Sequence, residues 1–288
     1  MSHAPLAAGA PGARIPGRLL RSPSAVIGSV MVVFIVLVAV FAHWLAPHSY
    51  TRTDLFMSWS LPDARYLLGG DAVGRDILSR LLVGAQVSLT IAFSVLTIVL
   101  IVGTVLGTIA GWHGGWADGL ITRATDLTLA FPELIIAIIV AAIMGPGVPA
   151  VIVALSLVGW TGIARIVRSL TLSLRNEAFV EAAMAAGTRP AAIIVFHLLP
   201  NMVPALVVRA TAGIGFIIME EATLSFLGLG VQEPQPTWGG MIRDGLPALR
   251  TEPWMAMAAS AALAFTIVGF NLFGDGLRDA LDPRGARR

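Results

Sequence analysis

Apolar residues run through this chain in six stretches separated by short polar segments, at roughly 25–46, 86–111, 120–144, 148–167, 201–222 and 254–274. Each stretch meets the ~20 residues that a helix needs to cross a hydrocarbon core of about 30 Å. The pattern predicts an all-α membrane protein with six transmembrane helices. The first stretch follows Arg14, Arg18 and Arg21, as a signal peptide would, but its apolar core from Ala25 to Ala46 is 22 residues long. A cleavable apolar region has about 7–15, so residues 25–46 are expected to be a retained anchor.

Charged residues make up 12% of the chain, against about 25% in globular domains. All nineteen basic residues are arginine and cysteine is absent. Without lysine there is no phosphate-binding Walker A loop, and without cysteine there is no disulfide, thiolate metal site or thiol nucleophile. No metal site is expected, because none of His3, His43, His48, His113 and His197 forms a pair four residues apart on a helix. No catalytic cluster is visible either.

Arginine position sets the expected orientation. Segments 1–24, 165–200 and 275–288 hold eleven arginines, and the loops 47–85 and 223–253, of similar total length, hold six. Positive charge collects on the cytoplasmic side, so both termini are expected there, with 47–85 and 223–253 outside. The same distribution accounts for the basic balance without nucleic acid. Trp44, Trp112, Trp116, Trp160, Trp238 and Trp254 fall at or near the ends of stretches, where indole rings anchor at headgroups.

Within the stretches, Gly103, Gly107 and Gly111 lie four apart, one small-residue stripe suited to close helix packing, within one subunit in preference to between two. Arg123 and Asp126, three apart, are expected to satisfy each other. Glu220 and Glu221 are expected to be hydrated where the fifth stretch ends. Glu133, directly after Pro132, is the most isolated ionisable group and is a candidate to line a pathway.

Between the fourth and fifth stretches lies "EAFVEAAMAAGTRPAAIIVFHLLPN", Glu177 to Asn201. Asn176 is a suitable N-cap, Glu177 favours the positive end of a helix, and Gly187 can end it in the left-handed conformation. A helix over 177–186 follows. Thr188 and Pro190 would open a second short helix, broken by Pro200 before the membrane. The first helix offers Ala178, Ala182, Ala183, Ala185 and Ala186, with Phe179 and Met184 as knobs, and has no basic residue. That composition suits a partner's groove better than a membrane surface.

This segment resembles the EAA loop of binding-protein-dependent ABC (ATP-binding cassette) importer permeases: Glu181-Ala182-Ala183, then Gly187, then His197-Leu198-Leu199-Pro200. His197 stands where that family commonly has isoleucine. The segments "LLGGDAVGRDILSRLLVGAQVSL" (67–89), "AGWHGGWAD" (110–118), "AFPELIIAI" (130–138), "EATLSFLGLGVQEPQPTWGGM" (221–241) and "NLFGDGLRDALDPR" (271–284) resemble the C-type permease of the dipeptide, oligopeptide and nickel subfamily. Gly70, Gln86 and Trp112 depart from its usual threonine, arginine and tyrosine.

The resemblance implies a type I ABC importer permease fold with a cytoplasmic coupling-helix hairpin, in the plasma membrane of a prokaryote. It implies a transport subunit for di- or oligopeptides, not an enzyme, with nickel or glutathione as alternative cargo. A B-type permease, two ATPase subunits carrying ATP and Mg, and an extracytoplasmic substrate-binding protein are the implied partners, with no cofactor in this chain. Glu181, Ala182, Ala183 and Gly187 would form the coupling helix, with Glu177, Phe179, Met184 and Pro200 completing the contact to the ATPase. The expected organisation is a disordered segment 1–24, the anchor 25–46, a loop 47–85, a five-helix core 86–274 containing the EAA loop 175–200 and the outer loop 223–253, and a tail 275–288. An ion-driven transporter would leave the 177–201 hairpin unexplained, and a membrane enzyme would need a catalytic cluster that the sequence does not show.

Overall fold

A computed structural model describes residues 22–281; the disorder expected over most of 1–24 and the last seven residues of the expected tail lie outside them. The described chain is helical: α1 (Pro23–Val40), α2 (Ala42–Leu45), α3 (Ile77–His113), α4 (Gly115–Leu129), α5 (Glu133–Met144), α6 (Val148–Leu174), α7 (Ala178–Ala185), α8 (Pro190–Ile193), α9 (Leu199–Phe226), α10 (Trp238–Gly245) and α11 (Trp254–Leu281). Pro23 at the first helical position, where its missing N–H is not needed, starts α1 two residues before the expected boundary.

Four single helices, α1, α3, α6 and α11, are long and apolar enough to span a membrane, as is the segment Pro190–Phe226 that contains α9. The expected third span is not one straight helix. It divides into α4 and α5, bent by 88°. Pro132 explains the break: it has no N–H to donate, and it pushes Phe131 out of the helical region. At 12 residues, α5 is only about 18 Å long, too short to cross alone. Backbone broken in this way is tolerated at membrane depth only against protein or a wet cavity.

The expected stop at Pro200 is also absent. Residues Ile194–Leu198 form a π-turn between α8 and α9, so helix runs almost unbroken from Pro190. The widened turn absorbs the N–H that Pro200 lacks, the usual role of such bulges. Similarly, the expected boundary between the core and the tail at 274 is not a helix end: α11 carries Asp275, Arg278 and Asp279 as a direct extension of the sixth span.

The core is built by α3 lying along α6, with α1 along α11 and α9 between the pairs. Gly103, Gly107 and Gly111 all face α6. A β-carbon on Gly107 would sit 2.5 Å from the Ala164 carbonyl oxygen, and one on Gly111 would sit 2.8 Å from that of Arg168. Only hydrogen at these positions lets the two backbones meet, which is how helices associate where lipid supplies no hydrophobic drive. At the far end of the pair, Arg175 donates to the Gly111 carbonyl at 3.0 Å, occupying an acceptor that the end of α3 leaves free.

Ion pairs join α4 to α6. Asp126 pairs with Arg165 at 2.8 Å and Asp118 with Arg168. The expected Arg123–Asp126 pair is therefore not the one formed: spacing along one helix cannot register a guanidinium arriving from another.

Candidate functional site

Three clusters carry polar or exposed features that packing alone does not require. The first is α7. Its N-cap is Glu177 in extended conformation, without a side-chain cap, while Asn176 donates back to the Leu172 carbonyl at 3.2 Å. Sequence reasoning put the cap one residue early because Asn and Glu are adjacent and Asn is the stronger capper. Thr188 likewise does not cap α8; Arg189 occupies that position.

The C-terminus follows the Schellman pattern. Thr188 N–H donates to Ala183 O and Gly187 N–H to Met184 O, both at 3.0 Å, with Gly187 at φ +78°. Glu177, Phe179, Glu181, Ala182, Met184 and Gly187 are exposed, and Ala183 is half-buried. Val180 points the other way and is fully buried, in the same core cluster as Ile193 and Leu198. Phe179 also meets the His197 ring, centroids 6.5 Å apart. The helix thus shows a small-residue face to solvent while bolted by one valine to the spans. Pro200 is exposed at the first turn of α9.

The second cluster joins the loop before α3 to the loop after α9. Arg80, 1% exposed, donates to Glu233 at 2.7 Å, and Arg75 reaches both Asp71 (2.6 Å) and Glu233. Asp76 caps α3 by accepting from Ser79 N–H at 3.1 Å. Nearby, Trp238 is fully buried and its indole N–H donates to Leu81 O at 3.2 Å. It is a core residue, not the interfacial anchor its position suggested, whereas Trp44 and Trp116 are more than 80% exposed. Glu221 is also fully buried, not hydrated, and accepts hydroxyl hydrogen bonds from Ser88 (3.0 Å) and Ser225 (2.8 Å).

Burial works against the charge of Glu233, but the hydrogen bonds from Arg75 and Arg80 outweigh it and hold the carboxyl below the usual carboxylate range. A depressed folded-state pKa gives stability that is present above the unfolded value of about 4.3 and is lost as pH falls through the folded value. The two loops should therefore resist limited proteolysis down to pH ~4 and become cleavable only in stronger acid. Glu233→Gln should remove that acid step; an unchanged acid profile in the variant would show that the clasp does not depend on this carboxylate.

The third cluster is a cavity of about 240 Å³ among α3, α5, α6 and α9, lined by Glu133, Arg209 and Glu220. It gathers three of the ionisable residues that the sequence places within spans. Among the described residues no group of three His, Asp or Glu side chains could hold a metal ion.

Comparison with known proteins fits this arrangement. Residues 103–287 match the family model for the binding-protein-dependent transport system inner membrane component. Residues 12–62 match the N-terminal transmembrane domain of oligopeptide transport permease C. The dipeptide transport system permease protein DppC of Alkalihalophilus pseudofirmus is 41% identical over 267 residues, covering 93% of this chain and 88% of that protein. The glutathione transport system permease protein GsiD of Salmonella paratyphi A is 43% identical over 270 residues, at the same coverage. An inward-facing structure of the MetNI methionine ABC transporter superimposes with a TM-score of 0.55 at 21% identity, over 70% of this chain and 96% of that one, so the fold is that of an ABC importer permease. The chain belongs to the binding-protein-dependent family of ABC importer permeases, as a C-type, multi-pass membrane subunit.

Proposed function

We propose that this subunit forms half of the translocation pathway of an ATP-driven peptide importer and takes its drive from a separate ATPase through α7. The observation that carries the reading is α7 itself: exposed small residues, ended by a left-handed glycine, and fixed to the spans through Val180. Such an element moves as a rigid lever, which coupling between two conformations requires.

On this reading Glu177, Phe179, Glu181, Ala182, Ala183, Met184 and Gly187 meet the ATPase, with Pro200 supporting them. The small residues allow close approach while Phe179 and Met184 supply anchors. ATP and Mg are held by two ATPase subunits, a B-type permease completes the pathway, and an extracytoplasmic binding protein docks on the loops clasped by Arg80 and Glu233. Both termini face the cytoplasm, as the arginine distribution favours. Residues 25–46 anchor a core spanning 86–274. Glu133, at the break between α4 and α5, lines the pathway.

Short peptides are the favoured cargo because a dipeptide permease is 41% identical across nearly the whole chain. Glutathione, itself a modified tripeptide, is the second reading, since a glutathione permease is 43% identical. The test is uptake in a strain deleted for this subunit, with labelled di-, tri- and pentapeptides, glutathione and nickel. ATP-dependent dipeptide uptake restored by the wild-type chain is expected. Restoration of glutathione alone would move the assignment to the second reading, and uptake independent of ATP would overturn both.

A further inference from the structure

On α9, Arg209, Gly213, Phe216 and Glu220 follow at intervals of four, three and four residues. At 100° per residue they fall within about 60° of one another, so they form one stripe along three turns. All four line the cavity that also holds Glu133. Gly162 of α6 and Gly213 leave room beside Arg209: a β-carbon on either would lie 3.8 Å from a guanidinium nitrogen.

Ionisable groups in a span are costly unless paired or hydrated, so three around one cavity would be expected to form close ion pairs. They do not. Among the described residues neither Glu133, Arg209 nor Glu220 makes an ion pair or side-chain hydrogen bond, and the Glu220 Oε2 atom is buried without a partner. Arg209 is exposed and Phe216 is 46% exposed on the same stripe, so the cavity opens on the surface of the subunit. Its volume is below the ~300–1,000 Å³ of a complete small-molecule site. The arrangement presents one cation and two carboxylates, none held in a close ion pair, to a ligand that carries both signs.

We propose that Arg209 receives the carboxylate terminus of a short peptide, in the bidentate manner that a planar guanidinium favours, while Glu220 and Glu133 receive its ammonium terminus. This rests on the peptide-permease reading above and adds to it the residues that recognise the cargo inside the membrane. Eleven residues of helix separate Arg209 from Glu220 by about 16 Å along the axis. Glu133, from α5, lines the same cavity and adds a second carboxylate. An extended dipeptide of roughly 7 Å is shorter than that separation, so on this proposal it engages Arg209 and one carboxylate at a time as it moves along the stripe.

The test uses the full importer with its binding protein in proteoliposomes, with Ala-Leu, N-acetyl-Ala-Leu and Ala-Leu-amide as probes. The variant-to-wild-type ratio for each peptide cancels the selectivity of the binding protein. Arg209→Gln should lower Ala-Leu uptake at least tenfold and amide uptake less than twofold. Glu220→Gln should lower Ala-Leu uptake and spare the N-acetyl form. Equal losses for all three peptides would mean a structural role and overturn the proposal. A second measurement does not need the modified peptides to be carried. In this cysteine-free chain, Gly213→Cys gives one thiol beside Arg209, and Ala-Leu during turnover should slow its labelling at least threefold, an effect lost on adding Arg209→Gln. No protection would overturn the proposal. Absence of Ala-Leu uptake by the wild-type importer would instead refute the peptide-permease reading.

Discussion

Gly187→Ala and Glu181→Lys should each abolish most ATP-driven uptake while leaving the subunit inserted in the membrane. The two changes act differently. A β-carbon at Gly187 would meet nothing within 4 Å, but φ there is +78°, so the cost of alanine comes from the backbone alone, about 1–2 kcal/mol. Relaxing that strain unwinds the turn in which Thr188 and Gly187 donate to Ala183 and Met184, and α7 loses its fixed angle. Asn tolerates this conformation better, so Gly187→Asn should retain more ATPase association than Gly187→Ala, an order that a steric clash would not produce. Glu181 is exposed on the first turn of α7, so Glu181→Lys reverses a charge at the docking face and the helix-dipole preference together. Co-purification with the ATPase should fall at least tenfold in both Gly187→Ala and Glu181→Lys. Normal co-purification with normal uptake in both would show that α7 is not the contact.

Gly107→Val should be the most damaging substitution for the fold. Its first added carbon would lie 2.5 Å from the Ala164 carbonyl oxygen and 2.8 Å from the Val167 β-carbon. A backbone atom cannot move aside as a side chain can, so α3 and α6 must separate. Overpacking of this kind costs about 1–3 kcal/mol or more, a fall of roughly 2–12 °C in the unfolding midpoint for a chain of this size. Gly119→Ala is the contrast. Nothing lies within 4 Å of a β-carbon at that helical position, so the change should be neutral or should stabilise by about 0.5–1 kcal/mol. Thermal unfolding of the two purified variants in detergent measures the difference; equal midpoints would contradict the close-packing account of the α3–α6 seam.

Much of this architecture was legible in the sequence because a bilayer asks one question of each segment, its length and polarity. The five single spans answer it directly. The glycine stripe was equally readable, since a period of four on a helix can only mean one face. What one chain segment could not reveal was its distant neighbour. Asp126 looked paired with Arg123 by spacing, yet Arg165 reaches it from α6. Trp238 and Glu221 looked like residues at the water's edge but are buried by the loop after α9 folding back on α3.

Opposite charge in the two long loops, Arg75 and Arg80 against Glu233, was a visible signal for the clasp. It needed only the assumption that the loops meet. Prolines misled in both directions: Pro200 is absorbed by a π-turn, while Pro132 breaks a span that hydropathy reads as continuous. Over Glu177–Asn201 the composition predicted the helix and its glycine end. Val180, which fixes α7 to the core, was hidden among the alanines because a single buried valine has no periodic signature.

On the proposed reading α7 faces the cytoplasm and is gripped there by an ATPase. Because the chain has no cysteine, Ala182→Cys places one thiol on the exposed face of α7. A membrane-impermeant maleimide should label it in inside-out vesicles stripped of ATPase, leave it unlabelled in right-side-out vesicles, and lose access when the ATPase subunits are restored. Labelling from the outside, or labelling indifferent to the ATPase, would contradict the account.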